Sequence, residues 1–249
     1  MDLVLAPKVL GRLQKNFVVI NMTDETIEVT YETFGTSYGV QKLLDSLPDT
    51  VGLDFEAASI FSAEQRKRMQ TTLDSLDKDT DFEQYIDLRS KIASSALTHP
   101  QYVVVTHLVI AVSETKSYVI VVTSRRIEDI IMKWLVTTDR LQIWHNLSFD
   151  GRIIHHRTGL LPKNYEDTQI FAKTIINHVE VYKAKTGLKE LAGAKYGDWG
   201  ISADNFVATN LWDKTVLDYA AIDGPATIWV FNSIKRHIAE TKEESDDIA

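Results

Sequence analysis

The stretch that most constrains the fold is the octapeptide TVGLDFEA at positions 50–57. Its apolar residues alternate with Asp54 and Glu56, which is the pattern of a buried strand that carries both acids on one face. Two neighbouring carboxylates repel each other and are costly to remove from water, so a buried pair needs a compensating charge. A hard divalent cation such as Mg²⁺ or Mn²⁺ prefers oxygen ligands and would supply that charge. The alternative is an edge strand whose acids both face water.

The composition limits the classes of protein to consider. The chain has 249 residues, of which 44% are hydrophobic, which is enough for one large domain or for one domain with an appendage. It contains no cysteine, which excludes disulfides and thiolate metal sites and fits a reducing cytoplasm. The sequence predicts neither a signal peptide nor a membrane helix, because the first residues lack a basic segment and no apolar run spans a bilayer. We therefore expect a cytoplasmic protein.

The formal net charge of −8 bears on possible ligands. An acidic chain is not an obvious nucleic-acid binder, because contacts to phosphate need Lys and Arg. However, clustered carboxylates count as negative until a cation binds, and residues 241–249 form an acidic tail. The charge therefore favours weak or transient binding and does not exclude a nucleic-acid substrate.

The order of elements predicts an α/β fold, because strands come first and helices then alternate with strands. Residues 1–48 are predicted to form a β-rich N-terminal extension, and the main domain is predicted to span 49–240. Residues 60–98 lack Gly and Pro and place apolar residues at helical spacing, so they predict an insertion of two helices broken around 77–81. This insertion would either cover the core as an amphipathic cap or serve as a lid beside the site.

The remaining predicted elements follow the insertion. A hairpin is expected from strands at 102–112 and 118–123, and another buried strand at 141–144. Helices are expected at 39–47, 127–135, 149–157, 168–176, 188–196 and 214–238.

A second acidic position follows the strand at 141–144, in the phrase HNLSFDG at 145–151. Asn146 is suited to cap the next helix, because its side chain can accept hydrogen bonds from the free amides at a helix start. Asp150 then lies in the first turn. An acid there commonly complements the helix dipole, and a metal ligand is the alternative.

A third position lies in the last helix. Tyr219 and Asp223 are four residues apart and therefore share one helix face. Their neighbours are small or apolar, so the hydroxyl and the carboxylate are expected to be buried and to need partners. A Tyr–Asp contact of purely structural value is the alternative.

Taken in order, the strand Asp-x-Glu, the Asn-x-x-x-Asp and the Tyr-x-x-x-Asp form a recognisable set. They resemble the DEDD (DnaQ-like) superfamily of 3′→5′ exonucleases in its tyrosine-bearing branch, DEDDy, which includes ribonuclease D-like enzymes and the proofreading domains of family A DNA polymerases. The phrases EDT at 166–168, GLKELA at 187–192 and HNLSFD at 145–150 add to the similarity, and the last is particularly like bacteriophage polymerase exonucleases. The resemblance covers about 51–238 and leaves out the extension and the insertion. It implies a ribonuclease H-like mixed five-stranded sheet flanked by helices.

The resemblance also implies a two-metal mechanism, with Mg²⁺ or Mn²⁺ ions about 3.5–4 Å apart. Asp54 would bridge both ions, and Glu56 and Asp223 would complete the site that binds the attacking water. Asp150 would hold the second ion, largely through water, and Tyr219 would orient the attacking water.

Other chemistries are less well supported. The second branch of the superfamily carries His five residues before the last acid, where this chain has Asp218. None of the seven His stands in an HxxxH or HExxH arrangement, which argues against a zinc hydrolase. There is no Walker-type phosphate loop, so no nucleotide cofactor is expected.

Residues that contact the substrate are harder to predict. Asn146 would position the loop or the substrate, while Phe55 and Phe149 flank the acids and would either wedge against the terminal base or belong to the core. Trp199 lies in a predicted turn and is a candidate stacking platform. A group of lysines would contact the backbone of a single strand or form a solvated helix face: Lys183, Lys185, Lys189 and Lys195.

Three functions remain open at this point. The first is an exonuclease acting on the 3′ end of single-stranded DNA, with proofreading for a separate DNA polymerase and a virus-encoded origin as extensions. The second is a ribonuclease D-like exoribonuclease. The third is a non-catalytic module that binds nucleic acid or a partner protein, for which the loss of at least one acid would be expected. All four acids and the Tyr are present. Ribonuclease D-like enzymes usually carry a helical RNA-binding domain after the nuclease, whereas this sequence continues into an acidic tail, so we expect DNA.

Overall fold

The computed structural model describes residues 15–21, 26–92, 99–175, 185–199 and 210–246. Its centre is one mixed sheet whose strands are β1 Lys15–Asn21, β2 Thr26–Phe34, β3 Thr50–Ser59, β4 Val103–Ser113, β5 Lys116–Val121, β6 Leu141–Trp144 and β7 Tyr165–Asp167. The spatial order is β1-β2-β5-β4-β3-β6-β7, so the octapeptide lies in an interior strand.

Eight α-helices are found in the described part of the chain. They are α1 Ser37–Ser46, α2 Ala63–Ser75, α3 Phe82–Lys91, α4 Arg125–Thr137, α5 Leu147–Thr158, α6 Thr168–Ile175, α7 Leu188–Tyr196 and α8 Lys214–Asp246. Within these described ranges no helix combines the length and the apolar character needed to cross a membrane.

All four strands that the sequence predicts after residue 49 are present, β7 is the fifth strand of the core that the resemblance implies, and the α/β prediction is confirmed. Strand β3 is antiparallel to β4 and parallel to β6, β4 is antiparallel to β5, and β6 is parallel to β7. The N-terminal extension joins the same sheet, because β2 pairs in parallel with β5 and β1 pairs with β2. Within the described residues the sheet therefore has seven strands, two more than the predicted core.

One face of the sheet carries the main hydrophobic core. The side chains of Val51, Leu53 and Phe55 on β3 lie there, packed with residues of α1, α4 and α5. Helix α1 supplies Val40, Leu43 and Leu44, which recur at helical spacing on one side.

The other face is covered by α8, and two glycines allow the helix to come close. A Cβ at Gly52 would lie 2.8 Å from the carbonyl oxygen of Gly224, and a Cβ at Gly224 would lie 2.9 Å from Cγ1 of Val109. Gly224 directly follows Asp223, so the close approach brings that carboxylate to β3.

Helix α8 continues through Pro225, which has no N–H to donate to the carbonyl of Ala221. The hydroxyl of Ser117 on β5 donates to that carbonyl oxygen at 2.8 Å. Because Ser117 is buried, this bond satisfies a group that water does not reach. The helix also extends beyond the predicted end at 238, so the predicted acidic tail begins inside it.

The insertion forms two helices, α2 and α3, as predicted. They pack against each other, and no described side chain between 62 and 92 is buried. Phe82 on α3 is 61% exposed. The prediction that this segment covers the core as a cap is therefore wrong, and the lid role stays a prediction.

Candidate functional site

The alternation of β3 places the first two acids as predicted. Gly52 faces α8, so Asp54 and Glu56 lie on this side, opposite to the core side chains. Glu56 is buried and Asp54 is partly buried. A β-bulge follows Glu56, where the register with β4 shifts, and the hydroxyl of Thr106 donates to the Glu56 carbonyl at 2.9 Å. Bulges of this kind commonly re-aim side chains beside functional sites.

Helix α8 brings the third acid to the pair. Asp54, Glu56 and Asp223 each offer one carboxylate oxygen, and these oxygens all lie within 4.8 Å of one another. Asp223 is buried, and it shares its helix face with Tyr219. The three carboxylates therefore form a single cluster between the sheet and α8.

Asp150 is the fourth acid, and it is buried in the first turn of α5. Its negative charge reaches the cluster, because it contributes to raising the pKa of both Asp54 and Glu56. Burial raises the pKa of Asp150 itself to about 8, against the opposing effect of the backbone amides of Asp150 and Phe55. The structure thus brings three of the four predicted acids into one cluster and places the fourth, Asp150, within electrostatic reach of it.

The cluster carries more negative charge than its surroundings compensate. Burial and mutual repulsion raise the pKa of Asp54 and Glu56 well above the usual range, and burial raises that of Asp223 to about 6. Among the residues that the structure describes, Glu56 Oε1 and Asp150 Oδ1 are buried without a hydrogen-bond partner. A set of carboxylate oxygens with excess negative charge suits a hard divalent cation, so the residues present fit a magnesium or manganese site.

Tyr219 points its hydroxyl into the same region. The ammonium of Lys189 on α7 lies 3.1 Å from this hydroxyl and 4.6 Å from the centre of the ring. Burial, followed by the charges of the neighbouring acids, raises the pKa of Tyr219 above its ordinary value. The hydroxyl therefore keeps its proton near neutral pH.

Trp199 has a different position from the predicted stacking platform. Its side chain is 8% exposed, and its ring packs against that of Tyr196 at a centroid distance of 5.8 Å. Its indole N–H donates to Oδ1 of Asp223 at 2.7 Å. The stacking prediction is therefore wrong, and sequence reasoning missed a direct contact between Trp199 and an acid of the cluster.

The two phenylalanines differ in their burial. Phe55 is buried on the core face, 5.6 Å from the ring of Trp144, so the prediction that it meets a substrate is wrong. Strand alternation explains this, because a residue between two acids of one face must point to the other. Phe149 is partly buried against the same core, and its role at a terminal base stays a prediction.

Asn146 stands at the predicted cap position but does not cap α5. Its backbone is left-handed, with φ 61° and ψ 52°, and its side-chain oxygen accepts from the hydroxyl of Ser148 at 2.6 Å. The amides of Asn146 and Leu147 instead donate to Asp167, at 3.0 and 2.9 Å. Asp167 also accepts from the amide of Gln169 at the start of α6, so this acid serves two helix starts. Sequence reasoning missed this capping role, although the position of Asp167 directly before a predicted helix is typical of a capping residue.

The other lysines differ in their positions. Lys195 is paired with Glu114, which favours a structural role over a substrate contact. Lys185 is exposed and its role stays a prediction, while Lys183 lies outside the described residues. Of the four lysines, Lys189 is therefore the one whose described contacts reach the acid cluster.

The sequence matches no known family model and no curated protein. The fold, however, is similar to that of several solved structures. One is the Brucella melitensis NrnC with bound Mg²⁺, with a TM-score of 0.50, 15% identity, and coverage of 87% of this chain and 84% of that chain. A second is Escherichia coli RNase D, an exoribonuclease involved in structured RNA processing, with a TM-score of 0.52, 16% identity and 86% of this chain covered.

A third is the Trypanosoma brucei RNase D complex with RNA U12, with a TM-score of 0.52, 15% identity and 81% of this chain covered. This chain spans 46% of the length of the Escherichia coli RNase D structure and 61% of the length of the Trypanosoma brucei one. At these identities the likeness bears on the fold. The fold expected from the sequence resemblance is confirmed: the chain has the fold of NrnC and ribonuclease D.

Proposed function

We propose that the chain is a metal-dependent 3′→5′ exonuclease that hydrolyses single-stranded nucleic acid from its 3′ end. The observation that carries this proposal is the meeting of carboxylate oxygens of Asp54, Glu56 and Asp223 within 4.8 Å, with the buried Asp150 within electrostatic reach of them. Such a concentration of buried carboxylates opposes folding unless a cation neutralises it. The ribonuclease fold supports the same proposal, because it is the fold in which the resemblance places these four acids.

Each residue has a defined task in this proposal. Asp54, Glu56 and Asp223 would hold one divalent ion, and Asp54 with Asp150 would hold a second. When bound, such ions lower the pKa of a water molecule and stabilise the charge that develops on the phosphodiester. The hydroxyl of Tyr219 donates a hydrogen bond that orients the attacking water, and the ammonium of Lys189 holds that hydroxyl in place.

The reaction is a hydrolysis, and its atoms balance without a further reactant. The oxygen of water forms a bond to the terminal phosphorus, and the bond from phosphorus to the 3′ oxygen of the preceding nucleotide breaks. The water loses one proton and the leaving oxygen gains one. The products are a nucleoside 5′-monophosphate and a strand shortened by one residue with a 3′ hydroxyl.

We propose RNA as the preferred strand, although the sequence favoured DNA. The similar structures include two ribonucleases D, one of them in complex with RNA U12. The expectation of DNA depended on the lack of a helical domain after the nuclease, and the end of a sequence does not support that conclusion. Proofreading with a separate polymerase would become the second candidate if DNA were cleaved faster.

The test is digestion of matched 5′-labelled RNA and DNA single strands with Mg²⁺ or Mn²⁺. We expect a ladder that shortens from the 3′ end of RNA, is lost with EDTA, and is lost in Asp54→Asn. Shortening of DNA at a higher rate than RNA would reverse the substrate assignment. Absence of product from both strands with both metals would contradict the exonuclease proposal and favour a binding module.

A further inference from the structure

Asp223 has a neutral side-chain hydrogen-bond donor fixed beside it, the indole of Trp199. The indole Nε1 of Trp199 lies 2.7 Å from Asp223 Oδ1, which is within the range of hydrogen bonds to a charged acceptor. In contrast, Glu56 Oε1 and Asp150 Oδ1 have no partner among the residues that the structure describes. One oxygen of Asp223 is thus committed to the protein, and this fixes the rotation of the carboxylate.

Trp199 is itself held by its surroundings. It follows α7 after Gly197, whose backbone is left-handed with φ 66°. The indole packs in a cluster with Val29 of β2 and with Ile222 and Ala226 of α8. The neighbouring Tyr196 is anchored because its hydroxyl donates to the carbonyl of Glu114 at 2.6 Å. The donor therefore reaches Asp223 from a packed position, and no further ordering is needed when a cation binds.

An indole N–H is chemically suited to this position. It can donate one hydrogen bond and cannot accept, so it neither binds a metal ion nor competes for one. It carries no charge and therefore does not repel a cation at the cluster, as a lysine in the same place would. A group that hydrogen-bonds to a metal-binding side chain sets the orientation of that side chain. The loss of such a group typically weakens metal binding about 10- to 100-fold.

From this geometry we propose that Trp199 is a positioning residue for the metal site: its indole N–H holds Oδ1 of Asp223 so that Oδ2 is presented to a divalent cation. The inference rests on the proposed function only in taking Asp223 as a metal ligand. It does not depend on the identity of the strand or on whether cleavage occurs. It also gives a role to the N-terminal extension, because β1 and β2 pack against the cluster that contains the indole.

The first test is Mn²⁺ binding, measured by electron paramagnetic resonance of the free ion, in the wild type and in Trp199→Phe. Phenylalanine keeps the aromatic packing and removes the donor, so we expect the affinity to fall about 10-fold or more. The matched control is Trp134→Phe on α4. Trp134 is also 8% exposed, but its Nε1 has no hydrogen-bond partner in the described part of the chain. The control should bind Mn²⁺ with wild-type affinity.

A positioning role also predicts how activity responds to metal concentration. Trp199→Phe should lose most activity at low Mg²⁺ and recover most of it at saturating Mg²⁺, with little change in KM for the strand. A purely structural role would instead lower the melting temperature and leave the metal affinity of the folded fraction unchanged. That second pattern would overturn the proposal.

A second measurement needs no variant of the site. The chain has five Trp, so an ¹⁵N-labelled wild-type protein gives five indole N–H signals that can be assigned by standard triple-resonance experiments. Addition of Mg²⁺ should shift the Trp199 indole signal, because the carboxylate that accepts its hydrogen bond then also binds the ion, and leave the Trp134 signal in place. A Trp199 signal that stays fixed while the amides of β3 shift would overturn the proposal.

These results separate the two proposals. If Mg²⁺ binds and shifts the Trp199 signal but no strand is shortened, the exonuclease proposal fails and the role of Trp199 stands. If Trp199→Phe binds Mn²⁺ like the wild type while the wild type cleaves, the exonuclease proposal stands and the role of Trp199 fails. If the wild type binds neither ion, both fail.

Discussion

The two faces of β3 are built from alternate residues of one octapeptide, yet one face stabilises the fold and the other destabilises it. On the core face, Val51, Leu53 and Phe55 are buried among apolar neighbours, and each such side chain stabilises the fold by about 1.5–3 kcal/mol. On the other face, Asp54 and Glu56 are drawn out of water beside further acids, which is unfavourable without a cation. The comparison shows that a strand can support a destabilising site on one face because its other face is well packed.

The largest expected effect comes from exchanging one residue on each face. Asp54→Asn should reduce cleavage by at least about 10³-fold, because it removes a ligand that both ions would share. The same change should raise the melting temperature of the metal-free protein, since it removes a repelling charge. Single-turnover cleavage and thermal unfolding with EDTA measure the two quantities.

The matched change on the core face is Leu53→Ala, which should destabilise the protein by about 2–5 kcal/mol through the lost contacts and the cavity. The activity of the folded fraction should change by less than about tenfold, since Leu53 points away from the acids. If Asp54→Asn lowered the melting temperature and Leu53→Ala abolished the activity of the folded protein, the assignment of function to one face and stability to the other would be wrong.

The next effect tests the spacing between β3 and α8. Gly52→Ala would place a Cβ 2.8 Å from the Gly224 carbonyl oxygen and 2.7 Å from Ile228 Cγ1, so α8 must shift. A shift of about 1 Å would move Asp223 relative to Asp54 and should reduce cleavage about 100-fold. The control is Gly193→Ala on α7, where the added Cβ would have no atom within 4 Å beyond its chain neighbours and the backbone of its own helix. Cleavage assays at saturating Mg²⁺ should show the loss for Gly52→Ala alone.

A smaller effect is expected at Tyr219, which contributes a hydroxyl and no charge. Tyr219→Phe should lower kcat about 10- to 100-fold, because the attacking water loses its orienting donor. The affinity for Mn²⁺ should stay within about twofold of the wild type, since the carboxylates remain. A variant with normal kcat and weakened Mn²⁺ binding would assign Tyr219 to the metal site and not to the water.

Most of the predictions that succeeded follow from a short-range pattern that sets the geometry. Alternation placed Asp54 and Glu56 together, and a spacing of four placed Tyr219 beside Asp223, so both pairs were predicted from local periodicity. The strand Leu141–Trp144 and the helix Leu188–Tyr196 were predicted with their observed bounds for the same reason. The prediction for Phe55 failed although the same alternation already placed it on the core face.

Contacts between distant residues could not be predicted in this way. Trp199 and Asp223 are 24 residues apart and belong to different elements, so no periodicity relates them. Asp167 serves the start of α5 from 20 residues away, which depends on β6 and β7 lying side by side. The exposure of Phe82 is a further case, because periodicity identifies an apolar side of a helix and not the surface that it meets.

The smallest effect is the pH dependence of stability, and it reports on the acid face alone. Burial raises the pKa of Asp223 to about 6 and that of Asp150 to about 8 in the folded, metal-free protein, whereas both are near 3.8 when unfolded. Between pH 3.8 and these raised pKa values, the folded state holds protons that the unfolded state has released. The free energy of unfolding of the metal-free protein is therefore highest below about pH 4 and decreases as the pH rises towards 8.

Thermal unfolding with EDTA should therefore give a melting temperature several degrees lower at pH 8 than at pH 6. Mg²⁺ should raise the melting temperature more at pH 8, because at pH 6 it must displace protons. Asp150→Asn removes the group with the higher pKa of the two and should reduce the difference between the melting temperatures at pH 6 and pH 8 with EDTA. Leu53→Ala should lower the melting temperature equally at both pH values. A wild-type protein that is more stable at pH 8 than at pH 6 without metal would show that the acids are not desolvated as the structure places them, and the contrast between the two faces of β3 would fail.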